Sequence, residues 1–79
     1  MDTLTFKYYI GYATDGRKIW RIATGRDIVE SLQDDRFDNW LVSCFLVEEI
    51  QDGAKFKEIT ESDATTRIAN WRHNALQPA

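Results

Sequence analysis

The chain reads as an α+β protein. The expected architecture is a two-layer sandwich, an antiparallel sheet of about four strands with two helices on one face, in the order ββαββα. Three observations predict it. Apolar residues near the start alternate with a period of two, and a capped amphipathic helix closes the chain. In addition, "DGRKIWRIATGRD" and "DGAKFKEITESD" share a turn, an alternating strand, a threonine cap and an acidic partner, which reads as two ββα units.

In the first segment Leu4, Phe6, Tyr8, Ile10 and Tyr12 alternate with Thr5, Lys7, Tyr9, Gly11 and Ala13. That is the pattern of a half-buried strand. "TDGR" supplies a hairpin turn, and a second strand spans about Arg17 to Ala23. A two-residue turn would pair Ile10 with Arg21 and set that charge among apolar side chains. A three-residue loop with Gly16 in the left-handed conformation pairs Ile10 with Trp20 and Tyr8 with Ile22. A one-residue slip exchanges the two faces, so the binary pattern selects the three-residue loop. Tyr8, Tyr12 and Trp20 then belong to the core. Lys7, Tyr9 and Arg21 face outward, with Tyr9 opposite Arg21 as a cation–π pair.

"TGRD" places Thr24 as a helix cap with Asp27 as its acidic partner. Ile28, Val29 and Leu32 form a short apolar stripe, and Asp34, Asp35 and Asp38 are poor residues for a helix C-terminus, so this helix ends near Gln33. "NWLVSCFLVEEI" is apolar on both sides in its middle and reads as a covered strand, with a buried helix as the competing reading. The "QDG" turn then leads to the alternating "AKFKEI", a second hairpin. In the last element Thr60 is the N-cap, Asp63 stands at the third helical position, and Ile59 can staple onto Ala64. Ala64, Ile68, Trp71 and Ala75 follow at helical spacing, and residues 77–79 form a flexible tail. The expected core is Phe6, Tyr8, Ile10, Trp20, Ile22, Phe45, Ile68 and Trp71.

The 79 residues make one domain. A chain of this size buries only about 60 per cent of its unfolded surface, and its three Trp, three Tyr and four Phe offset that small core. Its one cysteine, Cys44, excludes an internal disulfide and suits a reducing compartment. The start has no signal-peptide pattern and "WLVSCFLV" is too short to span a bilayer. A cytoplasmic protein without membrane contact is expected.

Catalysis finds little material. Cys44 with the single histidine, His73, could make a nucleophile and its base, but Cys44 sits among Leu41, Val42, Phe45 and Leu46 as a small buried hydrophobe would. No recognised metal spacing or phosphate-cradling glycine loop is present, so no cofactor is expected. The formal charge of −3 is uneven: basic residues dominate up to Arg26, and acidic residues dominate from Asp27 to Asp63. The acidic stretch leads to the expected function, a non-enzymatic protein that binds a basic protein partner, as an inhibitor or nucleic-acid mimic. Asp34, Asp35, Asp38, Glu48, Glu49 and Asp52 are its candidate contacts. A sheet edge could also pair with a second copy to give a homodimer. The alternative is a weak nucleic-acid binder using Lys7, Tyr9, Arg17, Lys18 and Arg21, with lysine and arginine on phosphates and Tyr9 stacked on a base.

Overall fold

The structure is a computed structural model, and it describes residues 5–76; Leu4 and the tail at 77–79 lie outside the described residues. The elements run β1 (Phe6–Gly11), a 3-10 turn (Tyr12–Thr14), β2 (Lys18–Ala23), β3 (Val29–Gln33), β4 (Arg36–Val42), α1 (Val47–Gln51), β5 (Phe56–Ile59) and α2 (Glu61–Leu76). The five strands form one sheet in the order β4-β3-β2-β1-β5, with every neighbouring pair antiparallel. The α+β class stands. The element order is ββββαβα rather than ββαββα, so the two repeated units do not form.

The two helices cover opposite faces of the sheet, not one. Ile50 of α1 packs with Tyr9, Trp20, Ile22, Val29 and Phe56. Ala64 of α2 packs with Ile19 and Ile59, and Ile68 and Trp71 join Tyr8, Ile10 and Trp40 around them. Tyr9 pairs with Trp20 and Ile10 with Ile19, so successive residues along β1 and β2 feed two different cores. This corrects the hairpin register. Neither turn considered from the sequence occurs: Tyr8 faces Arg21 and Lys7 faces Ile22. The "TDGR" turn does form, with the Arg17 N–H donating to the Thr14 carbonyl at 2.9 Å and both Asp15 and Gly16 at positive φ. It caps a wider connection that includes the 3-10 turn.

Thr24 does not cap a helix, because its hydroxyl accepts a hydrogen bond from the Thr5 hydroxyl at 2.9 Å and its N–H donates to the Thr5 carbonyl. The chain turns at Gly25 (φ 80°) and continues as β3. A helix would gather Val29 and Leu32 on one side. The strand sends them to opposite faces, and each is buried there.

"NWLVSCFLVEEI" is divided. Asn39–Val42 ends β4, Ser43 breaks the run by accepting a bond from the Phe45 N–H, and the second half becomes α1. The Glu49 carboxylate accepts from the Leu46 N–H at 3.0 Å, one half of a capping box. β5 therefore pairs with β1 and not with the preceding strand. The last helix forms as expected, with the Asp63 N–H donating to Thr60 Oγ1 at 3.0 Å. Of the expected core, Trp20 and Ile22 are fully buried, while Phe6, Tyr8, Ile10, Phe45, Ile68 and Trp71 are half-buried. Tyr12 is 59% exposed, and Cys44 is exposed rather than buried.

Candidate protein-binding edge

The sheet has two edges, and they differ. β5 is four residues long and presents Lys57 and Glu58 to solvent. A short, charged edge resists further pairing. β4 is seven residues long, with a register irregularity opposite β3 between Ser31 and Gln33. Its first half and the turn before it carry Asp34, Asp35, Arg36 and Asp38, and its last four residues, Asn39–Val42, carry no charge.

That uncharged end is open. Leu41 is 51% and Val42 77% exposed, and Ile28 and Leu46 on the flanking loops are also exposed. The Ser43 N–H donates to the Val29 carbonyl at 2.7 Å. Hydrogen-bonding direction alternates along an antiparallel ladder, so the N–H and C=O of Val42 point away from β3. Trp40 anchors the strand from the α2 face. Its ring stacks on the Arg21 guanidinium, 4.1 Å from the ring centre, and Arg21 also lies 4.2 Å from Phe6 and donates to Glu30 Oε1 at 3.0 Å.

The expected acidic contacts are divided between two elements. Asp34 and Asp35 form the β3–β4 turn, where the Asp34 N–H donates to the Arg17 carbonyl, and Asp38 lies on β4. Glu48 and Glu49 open α1, and Asp52 follows its last turn. Glu49 is engaged as the cap of its own helix. Among the described residues none of these six carboxylates is in an ion pair.

The expected basic strip is not one surface. Tyr9 is 4% exposed and packs opposite Trp20, not Arg21. Lys7 lies on the α1 face and Arg21 on the α2 face, where Phe6, Trp40 and Glu30 enclose it. Arg17 and Lys18 stand at the β1–β2 connection, and Lys18 Nζ sits 5.2 Å from the Trp20 ring centre. His73 lies in the last turn of α2. No cluster of three metal-ligating side chains occurs among the described residues, and no described helix is long and apolar enough to cross a membrane.

The sequence reading missed the edge position of Leu41 and Val42. An apolar run signals burial or an interface equally, and only the sheet order separates the two. No protein-family model, curated protein or solved structure matches the chain.

Proposed function

We propose that the protein is a non-enzymatic binding module that captures an extended, basic segment of a partner protein by adding it to the β4 edge. One observation carries this reading: a long outer strand whose apolar end, Leu41 and Val42, is exposed while its other end is flanked by Asp34, Asp35 and Asp38. Main-chain bonds to the outward groups of Val42 would supply affinity, and the two halves of the edge would set direction. An antiparallel partner strand fits if it is apolar in its N-terminal half and basic in its C-terminal half. Self-pairing is a poorer match. A two-fold pair centred on Asn39 would set Asp38 against Trp40 and Arg36 against Val42, leaving the carboxylates without cations. The exposed thiol of Cys44 suits a reducing compartment, and we place the protein in the cytoplasm.

The test is a titration of isotope-labelled protein with a blocked peptide of β4's own length, valine-rich ahead of lysine and arginine. Amide shifts should centre on Asn39–Val42. Val42→Pro removes an outward N–H without touching the β3 ladder, and it should abolish binding. Reversing Asp34, Asp35 and Asp38 to lysine should weaken binding by at least about tenfold with the fold intact. Binding indifferent to both variants would sink the proposal. A dimer in sedimentation that Val42→Pro dissociates would make a second copy the occupant instead.

A further inference from the structure

A separate cleft opens on the α1 face, where the end of β1, the start of β2 and the loop before β5 meet. Its volume is about 440 Å³, within the range of small-molecule sites, roughly 300–1,000 Å³. Trp20, Phe45 and Phe56 build its apolar wall. Their rings meet edge to face, with centroids 4.9 Å apart for Trp20–Phe56, 5.4 Å for Phe45–Phe56 and 6.0 Å for Trp20–Phe45. Gly11 shapes the wall by what it lacks, because a Cβ there would come within 2.9 Å of the Trp20 ring. The indole Nε1 of Trp20 is buried and has no acceptor among the described residues.

The charge on the lining has one sign. Lys18 and Lys55 line the cleft, and no carboxylate among the described residues does. Neither lysine is in an ion pair among the described residues. The loop that carries Lys55 is fixed in place, since the Tyr12 N–H donates to the Lys55 carbonyl at 3.0 Å. An apolar aromatic wall with two ammonium groups that no described carboxylate neutralises, Lys18 Nζ lying 5.2 Å from the Trp20 ring centre, is complementary to a flat apolar body carrying negative charge.

We propose that this cleft binds a small aromatic carboxylate, its ring against Trp20, Phe45 and Phe56 and its carboxylate held by Lys18 and Lys55. The inference does not depend on the β4 edge. It is tested by titrating the full chain, isotope-labelled, with naphthoate and with its neutral counterpart naphthamide. The Trp20 indole signal and the Lys55 amide should shift saturably with naphthoate, and naphthamide should bind at least about tenfold more weakly, the worth of a charge-assisted contact. The variant Lys18→Gln with Lys55→Gln should keep the dispersed spectrum of the folded protein, still admit both compounds, and lose the preference for the anion. Absence of shifts at millimolar naphthoate, equal binding of the two compounds, or shifts centred on Trp40 would overturn the proposal.

Discussion

Arg21 shows how one residue can be misassigned when its chemistry is judged by charge alone. A guanidinium is planar and weakly hydrated, so it can lie flat between two rings and still bond a carboxylate edge-on. Here it does so between Phe6 and Trp40, with Glu30 accepting from Nε. Both partners of the ion pair are less than a third exposed. Each stacked ring contributes about 0.5–1 kcal/mol, so Arg21→Ala should cost about 1–3 kcal/mol once the solvent-screened ion pair, worth about 0.2–1 kcal/mol, is included. Arg21→Lys should recover little of it, because an ammonium cannot stack on both rings. Urea unfolding of these variants, with Glu30→Gln to complete the cycle, checks the result. A midpoint unchanged in Arg21→Ala would mean that the stack contributes nothing. The sequence concealed this arrangement, because the binary pattern selects a hairpin register that keeps Arg21 away from the apolar side chains of the first strand, whereas Arg21 in fact lies opposite Tyr8. Gly11 was equally silent. Only the approach of the Trp20 ring shows that a side chain has no room there.

At the scale of elements, legibility followed locality. α2 could be read because its start is written in adjacent residues: the Thr60 cap, Asp63 three positions on, and Ile59 packed with Ala64. β1 and β2 could be read because their turn is local. β3 and α1 could not. Val29 and Leu32 are both buried but on opposite faces, so β3 lacks the polar side that identifies a strand in a sequence. α1 has only five residues, far below the length at which a helix holds itself in water. It exists because Ile50, 0% exposed, is fixed in the core formed by Tyr9, Trp20 and Phe56. Ile50→Ala should therefore cost about 2–5 kcal/mol, whereas Thr60→Ala, which removes only a cap, should cost about 1 kcal/mol. Thermal unfolding of the two variants decides the ranking, and comparable losses would mean that α1 is not anchored by its one buried side chain.

For the whole molecule, the lesson is that a small sheet covered on both sides escapes a two-layer reading. Ten aromatic residues are enough to furnish two thin cores, one on Trp20 and one around Ile19. The candidate edge was invisible for a related reason, since edge position is a property of strand order and not of any segment. The arrangement predicts a gradient of stability across the sheet. β1 and β2 each have two neighbours, and β4 has one. Amides of Tyr8–Ile10 and Ile19–Ile22 that bond within the sheet should exchange slowest, by at least about an order of magnitude relative to the outer amides of β4. Uniform protection across the five strands would show that the edge is not open.

The pairing of β1 with β5 also fixes an order of events. Tyr8 meets Ile59 and Gly11 meets Phe56, so this ladder joins the first strand to the last. The four strands from β1 to β4 are connected through short turns and can assemble from neighbouring segments. The β1–β5 ladder requires a long loop to close first, which is the slow part of a folding reaction. During synthesis the meander can emerge and pair while one side of β1 still has no partner, and that side stays available to other nascent chains until Ile59 has been added. A strand that has a neighbour on each side in the finished sheet thus spends the protein's early life as an edge.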